Sequence, residues 1–414
     1  MVKRRDIPNF GLLKDVRVVV AAVSVAAPFA GQLFAENGAD VIWLESPKGV
    51  DIYRWTNDGW GVENEHRNMR NIMVDVVQPE GREILLKLLE ETDILIEASR
   101  GGQWEKWGLT DEVLWKINPR LVIGHISGYG LSGDPEYVSR PGYDHTIGAF
   151  SGLMYLNGYE DGSPLYPQKF ITDYQVGLFA YGSALAAYIG VLKTGKGESF
   201  DLAQFEASVR CQAAQFCLWF DKHYQVPRGF GSSSGTIAAG TGYYECKDGE
   251  GVYLFPNGRT PLKKTIEFFG FEYGSTDYPE GIPVIDFNSS GGPAFNDAVL
   301  AFCAQHTAQE VEDAISGIGV PCSKVLSYAD MEHHPHYLAR NTWVEWENVK
   351  GKTIKGSTAV PRYKNNPSQI WRGCPSQGMD NEDILEELGF SDRSYIESLY
   401  AKGILKKTDY VGGE

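Results

Sequence analysis

The chain has 414 residues, 43% of them hydrophobic and 12% aromatic, which is enough for two domains with sizeable cores. Its formal charge is −16, from 38 basic and 54 acidic residues, and so acidic a surface argues against nucleic acid as a partner. Six cysteines without CxxC spacing suggest neither a zinc site nor a thioredoxin-like motif, so no metal is expected.

Residues 16–23 are an apolar run interrupted only by Arg17, with Val18, Val19 and Val20, the pattern of a parallel strand buried on both faces. Pro28 suits the first position of the following helix, Phe29, Leu33 and Phe34 share one face of it, and Asn37-Gly38 ends it. Residues 40–45 predict a second strand, which completes a βαβ unit. The turn Val23-Ser-Val-Ala-Ala-Pro28 lacks GxGxxG, so the architecture is Rossmann-like without implying a dinucleotide.

Residues 79–91 repeat the pattern, with Ile84, Leu85, Leu88 and Leu89 as one stripe, and residues 93–97 are the next strand. Arg100 and Lys106 follow at the carboxyl end of that strand, where open α/β sheets place ligands. They are phosphate candidates or, equally, two solvated cations. Residues 121–126 predict another buried strand, leading into the Gly-rich loop Ser127–Gly133, which lacks the P-loop Lys. Arg140, Tyr143, Asp144 and His145 then gather a cation, a phenol, an acid and an imidazole in one loop.

The stretch Gln168-Lys-Phe-Ile-Thr-Asp173-Tyr-Gln-Val-Gly177 is the focus of the chain. Residues 169–172 look strand-like, and a buried Ala-rich helix is predicted from Tyr174 to Lys193, stopped at Gly195. Asp173 falls at or beside the N-cap. As a plain cap it contributes ~1 kcal/mol; as a nucleophile it would be kept ionised by the helix N-terminus. Local spacing does not separate these two readings.

Residues 199–203 predict a strand, followed by a helix over 203–223 in which Cys211 and Cys217 read as small apolar residues. Composition changes near Val226, and residues 227–242 are Gly-rich, a linker or a lid. A hairpin over 243–255 and helices near 261–269, 294–305 and 308–316 make a smaller α+β domain. A second hairpin over 343–355 and helical pieces at 381–388 and 392–402 complete the chain. The charged N-terminus precedes no apolar leader segment, and no run beyond the Ala-rich helix approaches a membrane span. The expectation is a cytoplasmic protein without membrane association.

Several of these stretches together resemble one family. They are Pro28-Phe-Ala-Gly-Gln-Leu-Phe-Ala-Glu36, Gly38-Ala-Asp-Val-Ile-Trp-Leu-Glu45, Thr110-Asp-Glu-Val-Leu-Trp115 and Thr172-Asp173-Tyr174. Thr194-Gly-Lys-Gly-Glu-Ser199 and Lys364-Asn-Asn-Pro-Ser-Gln-Ile-Trp-Arg-Gly373 continue them. The chain resembles the family III CoA-transferases over essentially its whole length, and within them the L-carnitine CoA-transferase branch.

The resemblance implies an α/β fold. A large Rossmann-like domain is built from both chain ends, residues 1–225 and 331–414, with a small α+β domain at 226–330 and an interlocked homodimer. It implies Asp173 as the nucleophile that forms a mixed anhydride and then an aspartyl-CoA thioester. Arg100, Lys106, Arg140, Tyr143 and Asp144 match CoA-binding positions, and Trp107 replaces an arginine. The implied substrates are acyl-CoA and a betaine carboxylate: carnitine, crotonobetaine or γ-butyrobetaine. CoA itself is a substrate, and no cofactor is permanently bound. A quaternary ammonium needs aromatic faces, for which Trp43, Trp60, Tyr166 and Tyr174 are candidates.

The alternatives are a family member acting on another carboxylic acid, an acyl-CoA racemase, and a non-catalytic CoA binder. Racemases of this fold carry a His-Asp pair where this chain has Tyr143-Asp144, and a phenol with pKa near 10 is a poor base. A pure binder has no use for Asp173.

Overall fold

The computed structural model describes residues 3–159, 162–167, 169–213, 215–228, 238–409 and 411. Contacts divide the chain into two compact units. The first is Met1–Met154, Tyr166–Cys211 and Arg340–Glu414; the second is Tyr155–Leu165 and Gln212–Ala339.

The first unit is mixed α/β around a parallel sheet. Its strands are β1 (Arg17–Ala21), β2 (Asp40–Glu45), β3 (Arg70–Met73), β4 (Ile94–Ala98), β5 (Val122–Ser127) and β6 (Glu198–Ala203). Their order across the sheet is β3-β2-β1-β4-β5-β6, with every neighbour parallel. Alternation along β1 sends Val18 and Val20 to one face and Val19 to the other. Both faces are covered, so the strand reads as one apolar run.

Helix α1 (Ala26–Glu36) covers the first face, and α2 (Pro79–Glu90) covers the second with Ile84, Leu85, Leu88 and Leu89. Pro28 is the third residue of α1 rather than its first. The C-terminal residues Ile384, Leu385 and Leu399 join the second face.

Charges staple the amino ends of the strands. Asp40 accepts from Arg17 Nε at 2.8 Å and from Arg70 Nε at 2.9 Å, and all three side chains are buried. Glu387 reaches the same two guanidiniums at 3.2 and 2.8 Å, tying the chain's last segment to the sheet.

Three further helices matter for the site: α3 (Asp144–Phe150), α4 (Ile171–Thr194) and α5 (Gln204–Arg210). Residues 169 and 170 form a turn and α4 starts at Ile171, so the strand-like approach over 169–172 is absent. Phe170 stands at the N-cap with φ 62°, and Gly195 ends the helix at φ 71°. α4 is long and apolar enough to cross a membrane by length and composition alone; here Val176, Ala180 and Ala184 are buried in the core shared with α1.

The helix expected over 203–223 is broken. α5 stops at Arg210, a second helix spans Gln215–Lys222, and Ala213 between them has φ 54°, which interrupts helical hydrogen bonding. Cys211 and Cys217 are exposed rather than packed. The two units divide at 154/155, 165/166, 211/212 and 339/340, where the sequence suggests 225/226 and 330/331.

The second unit holds a three-stranded antiparallel sheet of β7 (Gly242–Glu245), β8 (Gly251–Leu254) and β9 (Cys322–Lys324). Helices Arg259–Phe268, Gly292–Gln305 and Ala308–Gly317 pack on it around Phe295, Ile266 and Val252. Most of the Gly-rich stretch, 229–237, lies outside the described residues, and with it the linker-or-lid question.

Close packing of α1 on α4 depends on Gly177, where an added Cβ would sit 2.8 Å from the Ala26 carbonyl oxygen and 2.9 Å from Phe29. Gly190 on the same helix faces open space. Gly177→Val is expected to destabilise by about 1–3 kcal/mol through overpacking. Gly190→Ala is expected to be neutral or to stabilise by up to ~1 kcal/mol through helix propensity. Urea unfolding of the two variants beside wild type checks both signs.

Candidate active site

All of the site described here lies within the first unit. Strand order reverses between β1 and β4, and in open α/β sheets ligands bind in the crevice outside the carboxyl ends at that point. A cavity of about 250 Å³ opens there. Ser24 after β1, Arg100 after β4, Gly128 after β5, the Arg140–Tyr143 loop, Asp173 and Gln204 line it.

The first turn of α4 is held from outside. Its N-cap Phe170 offers no side-chain cap. Instead Asp144, the first residue of α3 and 2% exposed, presents its carboxylate to the bare end of α4. Asp144 Oδ2 accepts from the Phe170 N–H at 2.8 Å. Oδ1 accepts from the N–H groups of Thr172 (2.9 Å) and Asp173 (3.3 Å) and from the Thr172 hydroxyl (2.7 Å). This settles the sequence ambiguity in one respect. Asp173 does not cap its own helix, because Asp144 already does.

Asp173 is therefore spare. It is the third residue of α4, 6% exposed, and lines the cavity. Gln204, the first residue of α5, donates from Nε2 to Asp173 Oδ1 at 2.5 Å and to Thr172 Oγ1 at 3.0 Å. Burial and then the charge of Asp144 push the Asp173 carboxyl up to about 7, against the opposing hydrogen bond from Gln204. From the sequence, the helix N-terminus is expected to keep the group ionised. That positive end is already compensated by Asp144, so it gives Asp173 little help.

The loop after β1 is shaped by another acid. Ser24 has φ 67°, and its N–H donates to Asp51 Oδ2 at 2.7 Å. Burial pushes the Asp51 carboxyl up to about 6. A second recess of about 270 Å³ shares Val23, Ala98 and Ser99 with the first cavity. Leu44, Val76, Leu85, Trp104 and Trp107 make it apolar, and Lys48, paired with Asp75 at 2.9 Å, stands beside it.

Of the residues singled out in the sequence, Asp173, Arg100, Arg140 and Tyr143 share the cavity. Arg100 is exposed; Arg140 lies 4.0 Å over the Tyr137 ring and pairs with Glu136. Lys106 is exposed at the end of the short helix Gln103–Lys106 and does not line the cavity. Asp144 does not line it either; its oxygens face backbone N–H groups. His145 Nδ1 lies 3.6 Å from Asp144 Oδ2, and its ring is tilted against that of Tyr166 with centroids 4.5 Å apart.

The suggested aromatic cage is not assembled at the cavity. Trp43 is fully buried under the Arg54 guanidinium, and Lys352 lies over the Trp60 ring. Tyr166 bonds the Asp144 carbonyl, and Tyr174 bonds Glu65 at 2.7 Å. Gln204, Thr172 and Asp51 carried no signal strong enough to single them out. Gln204 follows β6 directly, so the rule on carboxyl ends of strands could have marked it. Among the described residues no group of three or more His, Cys, Asp or Glu is placed to hold a metal ion.

Residues 13–381 match the model of CoA-transferase family III, and the chain belongs to that family. It is an acyl-CoA:carboxylate CoA-transferase, an enzyme whose substrates are CoA thioesters and carboxylates. A CAIB/BAIF family protein from Brucella suis has a similar structure, with 25% identity, a TM-score of 0.76, and coverage of 92% of this chain and 100% of that one. Rv3272 from M. tuberculosis shares the fold at 21% identity and a TM-score of 0.75, covering 91% of this chain and 99% of that one. A mutant form of Rv3272 aligns at 20% identity with a TM-score of 0.78, over 91% and 99% of the two chains.

A carboxyl that ionises near pH 7 when folded, against 3.8 ordinarily, penalises the folded state as pH rises through that window. Asp173→Asn is thus expected to be more stable than wild type at pH 8, by up to about 4 kcal/mol. The difference should vanish below about pH 4, where both side chains are neutral. Thermal melts of the pair across that pH range test this.

Proposed function

We propose that this enzyme moves CoA between betaine-type carboxylic acids through a covalent intermediate on Asp173. The observation that carries the covalent route is a buried carboxylate at the switch-point cavity with one oxygen held by Gln204 and the other open. A desolvated carboxylate lacks the water shell that blunts it in solution, which favours attack on a thioester.

In the proposed sequence, an Asp173 oxygen attacks the acyl carbon, the C–S bond breaks, and CoA thiolate leaves with the electron pair. The thiolate then attacks the aspartyl carbon of the mixed anhydride and expels the first acid as its carboxylate. The acceptor carboxylate displaces CoA to form a new anhydride. Thiolate attack on the acceptor's carbonyl carbon releases the new thioester and restores Asp173. No net proton or electron is consumed, and the thioester bond energy is kept.

Arg100 and Arg140 beside the cavity suit the anionic parts of CoA, with Lys106 as a further cation on the neighbouring short helix. The apolar recess lined by Trp104, Trp107, Leu44 and Val76 suits a flat base, and there Trp107 can only stack or donate one N–H. The betaine assignment rests on the sequence resemblance and on Tyr143, an aromatic residue 60% exposed that lines the cavity. The stretch Lys364–Gly373 on which the carnitine-branch resemblance rests packs elsewhere: the Trp371 backbone N–H donates to Asn68 Oδ1 and the Ser368 hydroxyl to Asn37 Oδ1.

A homodimer is part of the same reading. Leu178, Ile189 and Leu192 on α4 are each at least half exposed, a stripe suited to a second copy of this chain. All six cysteines are free, which suits a reducing cytoplasm.

Crotonobetainyl-CoA or γ-butyrobetainyl-CoA incubated with carnitine and other carboxylates, read by mass spectrometry, tests the reaction. Exchange in wild type is expected to fall at least about a thousandfold in Asp173→Ala. Exchange persisting in that variant sinks the covalent role, and exchange only with non-betaine acids sinks the substrate assignment. Light scattering should give twice the chain mass for wild type, and Leu178→Glu/Ile189→Glu should lower it to one.

A further inference from the structure

We propose that Gln204 is the positioning residue of the nucleophile: locked by Thr172 and Asp144, its amide holds Oδ1 of Asp173 and leaves Oδ2 to attack. This rests on the reading of Asp173 as the nucleophile.

The lock follows from donor and acceptor chemistry. Asp144 Oδ1 lies 2.7 Å from Thr172 Oγ1, and the Asp144 backbone carbonyl lies 3.1 Å from it. Both are acceptors, so the single Thr172 hydroxyl proton points at Asp144. The Thr172 oxygen can then only accept from its other neighbour. That neighbour is the Gln204 side chain at 3.0 Å, so the amide must turn its NH₂ group, not its oxygen, toward Thr172. The second hydrogen of the same NH₂ meets Asp173 Oδ1. Among the described residues no hydrogen bond reaches Asp173 Oδ2, and Asp173 lines the cavity. Asp144 thus works twice on α4, through its N–H groups and through this relay.

The relay serves both halves of the exchange. When Oδ2 bonds the acyl carbon and thiolate leaves, Oδ1 becomes the carbonyl oxygen of the anhydride and keeps its donor. When thiolate then attacks the aspartyl carbon, negative charge collects on Oδ1, where the Gln204 hydrogen already stands. The C–Oδ2 bond breaks next, and Oδ2 departs with the first acid as its carboxylate. A donor fixed where charge will develop is the arrangement that lowers such barriers. Other titratable or charged groups facing this carboxyl are Asp144 from α3, Tyr53 from the helical turn Ile52–Gly59, and Arg100, Arg140 and Tyr143 across the cavity.

The test combines a substrate-free titration with kinetics. Gln204→Met keeps the length of the side chain and removes the donor. Infrared difference titration of the Asp173 carboxyl, with Asp173→Asn as the blank, is expected to place its midpoint about 1–2 pH units higher in Gln204→Met than in wild type. The acid limb of kcat/KM should move the same way, and kcat should fall by about 10²–10³ with KM little changed. The kinetics use crotonobetainyl-CoA and carnitine, or whichever pair wild type exchanges fastest in the panel above.

Thr172→Val is expected to copy the upward shift and Thr172→Ser to restore wild-type behaviour, a rescue that loss of packing alone does not produce. That pair decides the matter if Gln204→Met does not fold. A midpoint and kcat within about twofold of wild type in Gln204→Met, or in Thr172→Val, overturn the proposal while Asp173→Ala remains inactive. Activity retained in Asp173→Ala strikes instead at the nucleophile reading.

Discussion

The site depends on one interaction, the carboxylate of Asp144 set against the amino end of α4. A helix begins with N–H groups that have no partner within it, and burying them unpaired is costly. Phe170 has no side-chain oxygen to offer. Asp144 supplies the acceptors from a neighbouring helix, and with them holds Phe170 in a left-handed conformation that a bulky residue rarely adopts. A carboxylate in that position also removes the usual reason for an Asp in the first turn. Asp173 can then face a cavity with only the Gln204 amide hydrogen-bonded to its carboxylate among the described residues, and burial there is a liability for stability.

The parallel sheet sets the place where this happens. Reversal of strand order between β1 and β4 opens a crevice at their carboxyl ends, and the loops after β1, β4 and β5 all reach it. The amino ends are closed by the Arg17–Asp40–Arg70 cluster and Glu387. Buried ion pairs therefore gather at one end of the sheet and the cavity at the other. Left-handed Ser24 and Phe170 both lie at the cavity end.

Much of the architecture was legible in the residues. β2 matches its expected span, and β1, β4 and β5 lie within a residue or two of theirs, because strands buried on both faces leave mainly apolar runs, interrupted only by Arg17, Glu97 and His125 in β1, β4 and β5. α2 was legible because its apolar residues keep a helical period. The helix over 203–223 was overextended, since nothing local marks Ala213 as left-handed. The aromatic candidates lie away from the cavity for a related reason. Sequence shows that a ring exists but not what it meets: Arg54, Lys352 and His145 lie against the rings of Trp43, Trp60 and Tyr166, and Glu65 takes the Tyr174 hydroxyl. Asp144 was marked as a residue of the site, yet its oxygens face α4 rather than the cavity.

By itself, then, the sequence determined the α/β class, most strand positions and the family, and it marked Asp173 as the residue to watch. Each of these is written in short-range pattern: runs, periods, caps and motifs. Only the tertiary structure decided that Asp173 is not a cap, that burial and Asp144 raise its carboxyl, and which of its oxygens Gln204 takes. Those outcomes belong to Asp144 and Gln204, 29 and 31 residues away along the chain. A hydrogen bond across that separation exists only after the sheet has brought the two helix ends together, so no local pattern encodes it.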